Sequence, residues 1–173
     1  MAITLVLGGA RSGKSAYAQK QAEQAAVKTG RPPLMLATAE AFDDEMRDRI
    51  ARHQDERGDG WRTREVPLQL AAAVRDLTAD DVVVVDCLTL WLSNLILGNH
   101  DLAAAIDDLI ESLAACPATV WVVSNEVGWS LVPENALGRR FRDEAGRLNQ
   151  RIAAASGTAC LIVAGMKLDL QRL

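Results

Sequence analysis

Thr4-Leu-Val-Leu7 runs directly into Gly8-Gly-Ala-Arg-Ser-Gly-Lys-Ser15, and an Ala- and Gln-rich stretch continues from Ser15 to Lys28. The octapeptide fits Gly-x-x-x-x-Gly-Lys-Ser, and it stands between a strand pattern and a helix pattern, as that phosphate loop requires. Gly8 and Gly13 allow the backbone to curl so that consecutive N–H groups face phosphate oxygens. The helix beginning near Ser15 adds its positive end. Lys14 is expected to reach the β and γ phosphates, and Ser15 to hold magnesium. The reading is a nucleoside triphosphate site with Mg2+, built on Gly8, Gly9, Ala10, Arg11, Ser12, Gly13, Lys14 and Ser15.

Outward from this loop, short apolar runs alternate with helical patterns. Leu34–Ala37, Val82–Val85, Thr119–Val123 and Ala159–Val163 read as strands. Helices are expected over 43–54, 68–77, 88–97, 102–115 and 134–155, the second with Pro67 in its first turn and the fourth stopped by Pro117. Asp43 is placed to cap the first of these. Val82-Val-Val-Val85 has no in/out alternation, which is the mark of a strand buried on both faces. The fold expected is therefore α/β: an open, mostly parallel sheet of the P-loop NTPase type with helices on both faces. No linker or repeat divides the chain, so residues 1–173 are read as a single domain. Ligands of such sheets bind beyond the carboxyl ends of the strands. Asp86 ends one strand and is read as a magnesium ligand, with capping of the 88–97 helix as its alternative role.

Composition narrows the function class. The 173 residues are 49% apolar and 24% charged, which excludes a disordered or low-complexity chain. A domain of this size buries roughly 70% of its unfolded surface and needs no staple. The formal net charge of −4 argues against a general nucleic-acid binder. Cys87, Cys116 and Cys160 have no Cys-x-x-Cys spacing, so they read as buried small hydrophobes in a reducing compartment. The stretch Ile152–Met166 is shorter than the ~20 apolar residues of a membrane helix, and no basic region precedes the apolar start. A cytoplasmic protein without membrane insertion is expected.

The chain has two histidines. His100 lies in the polar turn Gly98-Asn-His-Asp101 and reads as a solvated loop residue. His53 stands amid Arg47, Arg49, Arg52 and Arg57. Spacing alone favours a surface helix with paired charges over a nucleophile flanked by phosphate-binding arginines. The Asn-Lys-x-Asp signature of guanine-specific switches is absent; Asn125-Glu126-Val127-Gly128 lacks the lysine. Asn125 and Glu126 follow a strand and either face the site or make a turn and helix cap. Arg139, Arg140 and Arg142 read as exposed helix charges or phosphate contacts. Trp91 and Trp121 are expected in the core.

Several segments together resemble one family. Beside the phosphate loop these are Ala37-Thr-Ala39, Asp43-Asp-Glu-Met46 with Arg49-Ile50 and His53, Trp61-Arg-Thr63, Asp86-Cys87, Ser124-Asn-Glu-Val-Gly128, Val132-Pro-Glu-Asn135, Phe141-Arg-Asp143 and Gly146-Arg-x-Asn-Gln150. They run in order from residue 8 to about residue 150, and their combination resembles the bifunctional adenosylcobinamide kinase / adenosylcobinamide-phosphate guanylyltransferases of cobalamin assembly. The resemblance implies two reactions. One phosphorylates the aminopropanol hydroxyl of adenosylcobinamide from ATP or GTP. The other transfers GMP from GTP through a guanylyl-histidine to adenosylcobinamide phosphate, giving adenosylcobinamide-GDP and pyrophosphate. It places the guanylyl group on His53, a catalytic residue with Lys14. It extends the nucleotide contacts to Ala37, Thr38, Ala39, Gln54, Asp55, Glu56, Arg57, Glu65 and Asp86, with Ser15 and Asp86 toward the metal. It also implies a homo-oligomer, a trimer. The alternatives are a small-molecule kinase without guanylyl transfer, in which His53 is dispensable, and a slow nucleotide-binding switch.

Overall fold

The apolar runs pair with one another in a seven-stranded sheet. The computed structural model describes residues 2–40 and 60–172. Its strands are β1 (Ala2–Gly8), β2 (Leu34–Ala37), β3 (Arg62–Glu65), β4 (Val82–Asp86), β5 (Thr119–Asn125), β6 (Thr158–Val163) and β7 (Met166–Leu170). Its helices are α1 (Lys14–Thr29), α2 (Leu70–Arg75), α3 (Leu88–Leu97), α4 (Leu102–Ala115) and α5 (Ala136–Ala155). The strand order is β3-β2-β4-β5-β1-β6-β7. Every pairing is parallel except β6 with β7. The expected α/β architecture is thus observed, with β5 lying between the phosphate-loop strand β1 and the Asp86 strand β4.

Burial on both faces explains the uninterrupted apolar strands. Ile3, Leu5 and Leu7 of β1, with Val83 and Val85 of β4, join one core with Leu70, Trp91, Leu92, Leu109, Leu148 and Ile152 from α2 to α5. Val6, Val82 and Val84 point the other way, onto Ala18, Ala22 and Ala26 of α1. Alanine every fourth residue gives α1 a flat stripe that lies close on the sheet. Parallel strands covered in this way have no polar face.

The helices differ from expectation at their ends. α2 occupies 70–75, not 68–77, so Pro67 lies outside its first turn. The Leu68 carbonyl is engaged by the Trp91 indole N–H and the Leu70 N–H instead of starting a helix. α5 begins at Ala136, two residues after Glu134, because the Asn135 side chain accepts from the Gly138 N–H at 2.7 Å and caps it. Cys87, not Asp86, is the N-cap residue of α3, so Asp86 has no capping role. Two strands lay outside the sequence reading. All four β3 residues are exposed, and its charged Arg-Thr-Arg-Glu edge carries no apolar signal. β7 returns from β6 through Ala164 and Gly165, both at positive φ, as a tight two-residue hairpin. The expected 43–54 helix lies outside the described residues. Cys87, Cys116 and Cys160 are free and buried, as read. Trp91 is fully buried and Trp121 half-buried, while His100 is exposed.

Candidate nucleotide site

The loop after β1 has the shape its glycines suggest. Gly13 sits at φ +94, and a Cβ on Gly8 would lie 2.6 Å from the Ile162 carbonyl oxygen and also against the Ser12 hydroxyl. Only glycine fits Gly8 without displacing backbone. Arg11 also takes a positive φ and projects outward, exposed. The Gly165 N–H donates to the Ser12 carbonyl at 2.9 Å, so the β6–β7 hairpin braces the loop from behind. α1, like α2 and α3, has no side-chain cap at its start, whereas Asp101 caps α4 and Asn135 caps α5. The first-turn N–H groups of α1 are therefore left for an anion. Lys14 is buried, and its ammonium donates to the Gly9 carbonyl at 3.0 Å. The Ser12 hydroxyl is buried without a hydrogen-bond partner, a polar group of the kind a bound ligand satisfies.

Strand register brings the remaining acids and small residues to the same edge. Ala37 pairs with Glu65 on one side and with Asp86 on the other, and Gly8 pairs with Asn125. Thr38, just past β2, is fully buried. Its hydroxyl donates to the Cys87 carbonyl at 2.7 Å and accepts from the Cys87 N–H at 2.8 Å, and its N–H donates to the Asp86 carbonyl at 3.2 Å. The Asn94 amide spans the Thr38 and Pro67 carbonyls. The Asp86–Cys87 backbone is thereby held from the β2 side, and Thr38 itself is pinned by Asn94. Behind it, the Asn125 amide donates to the Thr89 hydroxyl at 2.6 Å, and that hydroxyl lies 3.1 Å from Cys87 Sγ. Burial pushes the Cys87 thiol up; the Asp86 charge adds to this, and Lys14 opposes it. Cys87 thus stands within the fields of both charged residues of the site and stays protonated.

Glu126 adjoins the loop through its backbone. Its N–H donates to the Gly8 carbonyl at 3.1 Å. Its Oε1 accepts from the Asn149 amide at 2.9 Å, and Asn149 is fixed in turn by the Ser124 hydroxyl and the Asn125 carbonyl. Neither Asn125 nor Glu126 caps a helix. Arg139 donates to the Pro133 and Glu134 carbonyls, and Arg142 pairs with Asp143. Glu65 is exposed at the end of β3, and Ala39 is half-buried. His53, Gln54, Asp55, Glu56 and Arg57 lie outside the described residues. The positions missed from sequence are Asn94 and Thr89, while Cys87 and Asn149 stood within segments that carry the resemblance but with no role assigned. Asn94 and Asn149 are buried amides within apolar helix stripes, and that pattern was their visible signal.

The donor set suits a hard cation. Magnesium is usually held by one or two protein oxygens together with substrate phosphates. Ser15 and Asp86 supply a hydroxyl and a carboxylate, both half-buried. The neighbouring Cys87 thiol is turned toward Thr89 and is no thiolate ligand.

Comparison with known proteins decides the family. The family model described as cobinamide kinase / cobinamide phosphate guanyltransferase matches residues 4–170. The chain belongs to this family. The bifunctional adenosylcobalamin biosynthesis protein CobU of Salmonella typhimurium is 42% identical over 183 aligned positions, covering 96% of this chain and 98% of that protein. The corresponding CobP of Pseudomonas aeruginosa is 44% identical over 170, covering 96% of each chain. CobU of Escherichia coli is 38% identical over 183, covering 96% of this chain and 98% of its own. Among solved structures the likeness is looser: a KaiC-like protein from Pyrococcus horikoshii has 13% identity and a TM-score of 0.48, over 92% of this chain and 70% of its own. The cobinamide kinase family thus extends across nearly the whole chain, including both described parts of the sheet and the segment between them.

Proposed function

We propose that this chain is a bifunctional enzyme of adenosylcobalamin biosynthesis, a cobinamide kinase and cobinamide phosphate guanylyltransferase. The match of residues 4–170 to a family described by both roles, with near full-length relationship to three bifunctional adenosylcobalamin biosynthesis proteins, carries this reading. The phosphate loop, with an uncapped helix start behind it, supports a nucleotide substrate. In the kinase step the aminopropanol hydroxyl of adenosylcobinamide takes the γ-phosphoryl group of ATP or GTP. Residues Gly8 to Ser15 cradle the phosphates with backbone N–H groups, and Lys14 neutralises charge that builds on the transferring group. Ala37, Thr38 and Ala39 line the edge beside them, with Glu65 and Asp86 in register. Ser15 and Asp86 hold Mg2+, which when bound neutralises phosphate charge.

In the second step His53 attacks the α-phosphorus of GTP, pyrophosphate leaves, and the guanylyl group passes to adenosylcobinamide phosphate. A neutral imidazole is a competent nucleophile near pH 7, since its ordinary pKa is about 6.5. Gln54, Asp55, Glu56 and Arg57 contact the nucleotide after it. The family resemblance supports these assignments. The exposed apolar Met166, Leu168 and Leu170 on edge strand β7 support self-association, here as a homotrimer. Three buried free cysteines support a reducing, cytoplasmic setting. Among the described residues no helix is long and apolar enough to cross a membrane.

The test is covalent labelling. Protein incubated with α-labelled GTP and Mg2+, then denatured, should retain label in an acid-labile, base-stable linkage. His53→Ala should abolish it. Label that persists in the variant, or no label despite GTP binding, overturns the guanylyl-histidine step.

A further inference from the structure

We infer that Glu126 is the base that takes the proton from the acceptor hydroxyl in the phosphoryl-transfer step; this rests on the kinase reading above. Among the described residues, Glu65, Asp86 and Glu126 stand at the carboxyl ends of β3, β4 and β5. Glu65 lies on β3, four strands along the sheet from β1, and Asp86 lies on β4, beyond β5. Glu126 follows β5, the direct neighbour of β1, and its N–H is bonded to the Gly8 carbonyl. It is therefore the acid adjoining the phosphate loop itself.

Its surroundings differ from those of the acids that fasten the surface. Several acids elsewhere pair with arginine: Asp81 with Arg62, Asp76 with Arg64, Asp108 with Arg75, Asp107 with Arg151. Glu126 forms no ion pair among the described residues. It is oriented instead by a neutral donor, the Asn149 amide on Oε1, and Asn149 is itself 5% exposed and held on its own oxygen by Ser124. A neutral donor fixes the direction of the carboxylate without closing it into an ion pair. Oε2 is left to accept a proton. Immediately after Glu126, Trp129, Leu131 and Val132 expose apolar surface, suited to a bulky acceptor approaching from this side.

The step balances simply. The acceptor hydroxyl oxygen bonds to the γ-phosphorus, and the bond from that phosphorus to the β–γ bridging oxygen breaks. The bridging oxygen leaves with its electron pair on the nucleoside diphosphate, and the hydroxyl proton passes to Glu126 Oε2. General-base assistance of this kind contributes about 10²- to 10⁴-fold in rate.

Full-length wild type and Glu126→Gln are compared in two assays: kinase turnover with cobinamide and MgATP, and guanylyl transfer with cobinamide phosphate and MgGTP. Glutamine keeps an acceptor for Asn149 but has no basic oxygen. The kinase kcat should fall by about a hundredfold or more, with the KM for ATP and guanylyl transfer retained. Glu126→Ala should be equally slow in the kinase assay and be partly restored by added formate, which a purely structural role does not allow. Kinase turnover of the Gln variant within threefold of wild type overturns the assignment. So does parallel loss of both reactions without formate rescue. Wild type that phosphorylates no cobinamide while the labelling test succeeds overturns the kinase reading itself, and with it this role.

Discussion

Thr38→Val isolates the contact that holds the Asp86 backbone. The two side chains have nearly the same shape, so no cavity opens at this fully buried position. What changes is the hydroxyl, which donates to the Cys87 carbonyl and accepts from the Cys87 N–H. The two losses are unequal. The Cys87 carbonyl keeps the Trp91 N–H as a partner at 3.2 Å, so that loss is an ordinary hydrogen bond, about 0.5–1.5 kcal/mol. The Cys87 N–H is orphaned in a buried place, which costs about 1–3 kcal/mol. The sum is about 1.5–4.5 kcal/mol. Against a total stability of roughly 5–15 kcal/mol the variant still folds.

Urea unfolding followed by tryptophan fluorescence measures this directly, since Trp91 packs in the same region. The midpoint should fall with the m-value unchanged. At about 2–4 °C per kcal/mol for a protein of this size, Tm should drop by about 3–18 °C. Thr38→Ser keeps the hydroxyl and loses one methyl group, so it should cost only about 1 kcal/mol. Because the hydroxyl holds the Cys87 backbone next to Asp86, the Val variant should bind MgATP more weakly than the Ser variant. A Val variant within 0.5 kcal/mol of wild type, or a Ser variant as unstable as Val, would refute the reasoning that the hydroxyl is the stabilising element.

Two further outcomes are expected. Gly8→Ala must push its Cβ away from the Ile162 carbonyl, so it should lose about 1–3 kcal/mol and bind ATP poorly, whereas Gly9→Ala, with nothing within 4 Å, should stay within about 0.5 kcal/mol of wild type in thermal melts. Asp81→Asn tests the anchor of edge strand β3. Burial would raise the Asp81 pKa, but bonds from Arg62, the Thr78 N–H and the Thr78 hydroxyl outweigh it and hold the carboxyl below its ordinary range. A depressed folded-state pKa gives stability that is complete above the unfolded value of about 3.9 and is lost as pH falls through the folded one. The variant should therefore be about 1–3 kcal/mol less stable at pH 7, with the gap to wild type closing below about pH 4 in pH-dependent urea melts.

What was legible in the sequence follows from where apolar pattern alone decides structure. Val82–Val85 is buried on both faces, so its composition announces a covered parallel strand. The phosphate loop is legible because its backbone shape demands glycine at Gly8 and Gly13. β3 was illegible because an edge strand in solvent needs no apolar residue, and its pairing with β2 is made by backbone alone. β7 had a readable alternation in Met166-Lys-Leu-Asp-Leu170 after a turn glycine, but its apolar side chains are exposed and so bring no core signal. Strand order was not readable, because parallel neighbours are chosen by the packing of crossover elements rather than by any local pattern. Thr38 shows the same limit within the site. Its place after a strand was visible, but its use of the hydroxyl on Cys87, forty-nine residues away, was not.

The strand ends divide their polar residues by direction. Thr38, Cys87, Ser124 and Asn125 turn inward, where each satisfies another buried polar group, and they form a neutral backing. Ser15, Asp86 and Glu126 are only half-buried and open toward the carboxyl edge. A charge within a low-dielectric rim interacts more strongly with a phosphate than the same charge in water. It holds that position only if the backbone beneath it cannot shift. The inward residues provide this rigidity, which is why removing a neutral hydroxyl at Thr38 should weaken nucleotide binding through Asp86. The arginine-paired acids do the opposite. Asp81 fastens edge strand β3 through Arg62, and Asp76 and Asp108 make exposed ion pairs with Arg64 and Arg75, so these acids serve the periphery. Glu126, oriented by the buried Asn149 amide instead, is the acid whose removal should change chemistry more than stability.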